Sequence, residues 1–133
     1  MTDPREMVSV RYMVDDVGEA VDFYVKVLGF EVLHSYPAFA DVARGNLRLL
    51  LAGPNSSAGR AMDDGAKPGP GGWNRIHLIV DDLESEVARL QALGGRFRNS
   101  IVDGAGGKQV LLQDPSGNVI ELFQFAAAFS AAR

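Results

Sequence analysis

Residues 11–30 read "RYMVDDVGEAVDFYVKVLGF", and residues 77–95 read "HLIVDDLESEVARLQALGG". Each copy sets V-D-D after a hydrophobic stretch, continues with an amphipathic run and ends on L-G. Val14-Asp15-Asp16 matches Val80-Asp81-Asp82, and Leu28-Gly29 matches Leu93-Gly94. Further on, "GNLRLLLAG" (45–53) matches "GNVIELFQF" (117–125). One supersecondary unit is written twice, and a repeat of this kind decides the architecture before any single residue does.

The periodicity inside each copy names its elements. In the first, a strand over about 7–14 leads to Asp15 or Asp16, either of which offers an N-cap oxygen to a helix over about 17–28. Val17, Val21, Tyr24, Val25 and Leu28 recur at three- and four-residue spacing and form its apolar stripe. Gly29 ends it as a C-cap. Strands follow over about 30–36, 38–44 and 46–52, with Pro37 and Gly45-Asn46 at the turns. The second copy gives a strand at 74–80, a helix at 83–93 and strands at about 96–102, 107–113 and 118–125. Each copy is therefore β-α-β-β-β, and the fold class is α+β. The chain reads as a single domain over 1–133: module one about 7–52, a linker 53–72, module two about 73–125, and a tail 126–133. The linker is rich in Gly, Pro and Ser without periodicity, which suits a flexible connection or a functional loop. The tail suits a short helix or a frayed end.

Bulk properties narrow the function. The chain has 133 residues, 47% of them hydrophobic, so a core can form. Its net charge is −4 and its 13 basic residues are scattered, which argues against nucleic acid as a partner. No apolar run approaches the roughly 20 residues of a membrane span. The N-terminus lacks the basic start and apolar run of a signal peptide, so a cytoplasmic location is expected. Cysteine is absent, which removes disulfides and thiolate ligands, and His34 and His77 are the only imidazoles.

The motifs D-x-x-x-A-x-x-F-Y (Asp16, Ala20, Phe23, Tyr24) and D-P-x-G-N-x-x-E-L (Asp114, Pro115, Gly117, Asn118, Glu121, Leu122), set in two β-α-β-β-β modules, resemble the vicinal oxygen chelate superfamily. This is the group of glyoxalase I, bleomycin-resistance proteins and extradiol dioxygenases. The resemblance covers about 7–125. It implies two tandem modules whose mixed sheets curl around a cavity, and a homodimer. It also implies that the metal enzymes of the group bind their ion through four side chains on the first and last strands of each module.

Transferred to this chain, that quartet reads Ser9, Leu49, Arg75 and Glu121. Only Glu121 is a ligand type. Leucine cannot bind an ion and a guanidinium repels one, so no cofactor is expected. A divalent Zn, Ni, Mn or Fe stays open as the alternative, with Glu121 as its one metal ligand in an incomplete site. Glu121 lies between Ile120 and Leu122, and a charge in an apolar strand needs an explanation. Arg75, on the neighbouring strand, would supply one as a bidentate partner. His77 shares the face of Arg75. It is a hydrogen-bonded cavity histidine, a substrate contact or acid–base group, or part of a shifted metal site. Glu121 and His77 are the catalytic candidates.

Arg11, Met13, Leu49, Trp73, Arg75 and Phe123 are the ligand-binding candidates. Arg11 is expected to be buried, with Glu121, Asp41 or an acidic ligand as its partner. Leu47, Leu49 and Leu51 are expected to face inward and Arg48 outward, and His34 to lie on the surface or rim. Two readings of function follow. One is a bleomycin-resistance-like protein that binds or sequesters an organic metabolite or antibiotic without the usual metal site. The other is a divalent-metal lyase, isomerase or dioxygenase using Glu121 and His77. A metal-free enzyme, with His77 or Glu121 as base and Arg11 or Arg75 as anion anchor, stands between them.

Overall fold

The computed structural model of the protein describes residues 3–127. Most of the expected tail lies outside the described residues. Two compact units form. Unit 1 runs to Gly72 and takes in Pro115–Asn118; unit 2 is built from Trp73–Asp114 and the residues from Val119 onward.

In unit 1, β1 (Val8–Met13) leads to α1 (Val17–Lys26), then β2 (Glu31–Ser35), β3 (Phe39–Arg44) and β4 (Leu47–Ala52). The sheet order is β1-β4-β3-β2, with β1 parallel to β4 and the other pairs antiparallel. Unit 2 repeats the plan with β5 (Ile76–Ile79), α2 (Leu83–Ala92), β6 (Arg96–Phe97), β7 (Val102–Asp103), β8 (Gly107–Gln113) and β9 (Val119–Phe125). Its order is β5-β9-β8-β6, with β7 also paired to β8. The twofold β-α-β-β-β reading holds, and so does the α+β class.

The helices start and stop where their termini demand. Asp16 Oδ1 accepts from the Glu19 N–H at 2.9 Å, and Asp82 Oδ1 accepts from the Ser85 N–H at 3.1 Å. Each satisfies one of the four orphan donors of a helix start. Gly29 (φ 74°) and Gly94 (φ 82°) turn the chain left-handed just after each helix, a conformation that costs a side-chain-bearing residue more.

One strand differs from expectation. The stretch 96–102 is not continuous but splits into β6 and β7. The cause is Asn99, whose side-chain oxygen accepts from the Leu111 N–H at 2.9 Å and takes the place of a ladder bond.

The apolar stripe of α1 packs on the sheet of unit 1 through Val17, Ala20 and Tyr24. The strand residues buried on that side are Tyr12, Ala40, Val42, Leu49 and Leu51. In unit 2, Leu83 and Leu90 of α2 are fully buried, as are Val110, Leu112, Ile120 and Leu122 on one sheet face. Side chains alternate along a strand, so each sheet keeps a second face free of its helix.

The 53–72 segment is more structured than its composition suggests. It holds a short 3-10 turn (Ser57–Gly59), and the Ser56 hydroxyl donates to the Gly53 carbonyl at 2.6 Å. Asn118 fastens its end: its amide oxygen accepts from the Gly71 N–H and its amide nitrogen donates to the Met13 carbonyl, both at 2.8 Å.

Candidate functional site

The helix-free face of unit 2 is built by β5 and β9. These strands run parallel, with His77 opposite Glu121 and Ile79 opposite Phe123. The period of two then puts Arg75, His77, Ile79, Glu121 and Phe123 on one side. Glu121 is buried at 8% exposure, in the centre of this face. A carboxylate taken out of water costs several kcal/mol unless it is paired. Arg75 pairs it, with Nε and Nη2 both 3.0 Å from Oε1. The second oxygen, Oε2, lies 3.4 Å from His77 Nε2. The expected two-oxygen fork is not what forms. Arginine places two nitrogens on one oxygen and leaves the other to the imidazole. Arg75 is itself steadied by Nη1 donating to the Trp73 carbonyl at 3.3 Å.

Aromatic surface surrounds this triad. The His77 ring lies 4.9 Å from Phe123, and Phe123 meets Phe125 edge-on at 5.3 Å. Trp73 is 64% exposed, and the Arg98 guanidinium covers one of its faces at 4.7 Å, a cation–π contact. Ile79 is exposed beside them.

The donor set can be tested for a divalent ion. In unit 2, Glu121 and His77 offer two protein ligands, and a guanidinium occupies one of the carboxylate oxygens. Among the described residues, no group of three His, Cys, Asp or Glu side chains stands together. A resident ion of this kind wants three or four such donors. The residues present do not fit one.

In unit 1 the sequence reading needs correction. Leu49 was matched to Glu121 by counting from Gly45 and Gly117. In the structure Arg11 stands opposite Leu50, whereas its counterpart His77 stands opposite Glu121. The pairing of first and last strands is one residue out of step between the units, and a one-residue step changes the face. Leu49 is therefore fully buried on the α1 side, with Leu51, and Leu50 takes the position that corresponds to Glu121. Arg48 moves to the helix-free face with Arg11 and Met13. Arg11 itself is exposed rather than buried. Met13 is half-buried.

The same face holds a triad that sequence reasoning did not assemble. Asp41 is fully buried. Its Oδ2 accepts from Arg48 Nε at 2.8 Å, and its Oδ1 meets His34 Nδ1 at 3.0 Å. His34 also stacks on Tyr36, with ring planes 9° apart. The signal was present: Asp41 lies between Ala40 and Val42, a charge in an apolar strand, just as Glu121 lies between Ile120 and Leu122.

Comparison with known proteins agrees with this architecture. The family model "Glyoxalase/Bleomycin resistance protein/Dioxygenase superfamily" matches residues 6–122, and the chain belongs to that superfamily. A probable chloroplastic lactoylglutathione lyase of Arabidopsis thaliana is 26% identical over 92% of this chain; the chain spans 36% of that relative's length. Among solved structures, lactoylglutathione lyase from Agrobacterium tumefaciens superposes with a TM-score of 0.72 at 23% identity, covering 92% of this chain and 96% of that one. TnmS3, an antibiotic binding protein from a Streptomyces species, superposes with a TM-score of 0.70 at 27% identity, covering 95% of this chain and 98% of that one. No helix among the described residues is long and apolar enough to cross a membrane.

Proposed function

We propose that the protein binds a small organic molecule, a metabolite or antibiotic, without a resident metal ion, and that it does so as a cytoplasmic homodimer. The observation that carries this reading is the Arg75 guanidinium, with two nitrogens 3.0 Å from one oxygen of Glu121. A fixed cation there satisfies the buried carboxylate that would otherwise serve an ion. Trp73, Phe123 and Ile79 supply apolar and aromatic surface, and Arg75, Glu121 and His77 supply a few polar groups. That composition suits an organic ligand. His77 is the group to hold or move a proton if the ligand is also transformed, with Glu121 orienting its ring. The likeness to an antibiotic binding protein supports the binding reading.

A second reading has its own observation. Glu121 and His77 stand 3.4 Å apart, and both are metal-ligand types. A divalent-metal lyase, isomerase or dioxygenase would need further donors beyond these two, and the lactoylglutathione lyases among the similar proteins favour that reading.

Thermal-shift screening of organic compounds, with and without chelator, separates the two. The metal-free reading expects a stabilising compound whose effect survives chelation and is lost in Arg75→Leu and His77→Asn. Formation or breakdown of lactoylglutathione that depends on an added divalent ion would overturn it.

A further inference from the structure

The turn "DPSGN" (114–118) joins β8 to β9, yet its residues from Pro115 to Asn118 belong to unit 1. Two side chains tie it there. The Ser116 hydroxyl accepts from the Asp15 N–H at 2.9 Å, just ahead of the α1 N-cap. Asn118, buried at 4% exposure, uses both ends of its amide. The nitrogen donates to the Met13 carbonyl at the end of β1, and the oxygen accepts from the Gly71 N–H near the end of the 53–72 segment.

The Gly71 bond falls where the chain has few other restraints. Residues 60–67 are all exposed. Among the described residues, the backbone bonds of this stretch close only local turns: the Arg60 N–H donates to Ser57, Met62 to Ala66 and Gly65 to Met62. The ladder of β5 does not begin until Ile76. Gly71 (φ 102°) and Gly72 (φ 94°) adopt left-handed backbone that a side chain disfavours, so the stretch ahead of Trp73 turns through two glycines.

Trp73 follows at once, largely exposed, so burial does little to hold its indole. Its carbonyl accepts from Arg75 and its ring carries Arg98. Both partners are long side chains that lose rotamer freedom when they are held. The Asn118 amide is different: it is buried, engaged at both ends, and fixes the backbone two residues ahead of the indole. The next fixed point upstream is Gly59, packed so closely that an added Cβ would meet the carbonyl oxygens of Gly53 and Pro54 at 2.7 and 2.8 Å. Without the Asn118 bond, the loose run before β5 grows from residues 72–75 to residues 60–75, and a longer loop has more conformations to lose.

We infer that Asn118 is a positioning residue for Trp73: its amide latches the end of the 53–72 segment and so limits the freedom of the indole. Asn118 itself touches no ligand. Its weight for binding rests on the reading of Trp73 as a ligand surface. Its hold on the indole exists without a ligand, so the two claims fail separately, one in the compound screen and the other in the ligand-free protein.

Trp73 is the chain's single tryptophan, so intrinsic fluorescence reports this indole alone. Anisotropy and acrylamide quenching are measured on the ligand-free protein, with amide hydrogen exchange at Gly71 read by NMR. Asn118→Ala should lower the anisotropy, raise the quenching and speed the Gly71 exchange. Ser116→Ala removes a hydrogen bond from the same turn; it should lower Tm and leave the indole signals unchanged. Two glycines inserted between Gly72 and Trp73 keep the latch but lengthen the tether. The insertion should leave Gly71 protected and free the indole, and it decides the matter if Asn118→Ala does not fold. Indole signals unmoved in folded Asn118→Ala, unmoved by the insertion, or moved as much by Ser116→Ala would each overturn the proposal.

Discussion

Each unit buries one carboxylate on its helix-free sheet face, and each gives that carboxylate one arginine and one histidine. The constructions differ. In unit 2, Arg75 lies just before β5 and His77 on it, two residues apart, and both reach Glu121 on the adjacent strand. In unit 1 three strands contribute: His34 from β2, Asp41 from β3 and Arg48 from β4. Asp41 is fully buried, with a partner on each oxygen at 3.0 Å or less. Glu121 is 8% exposed, and its histidine stands farther off at 3.4 Å. The more deeply buried charge is braced from both sides. The shallower one is held from one strand, and its histidine is only loosely tied. The first arrangement suits orientation of a fixed group, and the second leaves a carboxylate and an imidazole available to a ligand.

That contrast predicts an order of effects. Arg48→Leu should cost the most, about 3–5 kcal/mol in chemical denaturation, because it strands a fully buried carboxylate with only His34. Arg75→Leu should cost less, about 2 kcal/mol, because Glu121 and Arg75 keep some contact with water that screens the loss. Equal costs for the two would break the comparison. His34→Asn and His77→Asn should each change stability by about 1 kcal/mol or less, since both rings are half exposed. The effect of His77→Asn belongs in ligand binding, and a large stability loss in either would make that histidine a structural brace.

The smallest effect concerns a helix start. The Asp82 carboxyl is held below its usual range by the Ser85 N–H and hydroxyl. Such a group contributes stability above the ordinary carboxylate range, and the contribution fades as pH falls through the lowered value. The small drop in Tm caused by Asp82→Ala should therefore shrink on acidification.

The fold was legible because a repeat shows twice whatever it shows once. V-D-D before each helix, Gly29 and Gly94 after, and G-N before each last strand located nearly every element. The triad of unit 2 was also within reach, since an arginine and a histidine at spacing two must share a strand face. In unit 1 only Asp41 stood out, as a charge in an apolar strand, because His34, Asp41 and Arg48 meet only through the pairing of two successive hairpins, the first with an irregular step between Val32 and His34. Leu49 was misplaced for a related reason. Motif alignment carries no information about a one-residue difference in strand register, yet that difference decides which face a side chain occupies. Asn99 shows the same limit, since a side chain that replaces a ladder bond leaves no mark in hydrophobic periodicity.

The central claim is that Arg75 holds the carboxylate that a metal enzyme of this superfamily would give to its ion. Elemental mass spectrometry tests it most directly, on protein purified without chelator and equilibrated with mixed divalent ions. The account predicts well below one equivalent of zinc, nickel, manganese or iron per chain. Close to one equivalent, lost in Glu121→Gln, would contradict it.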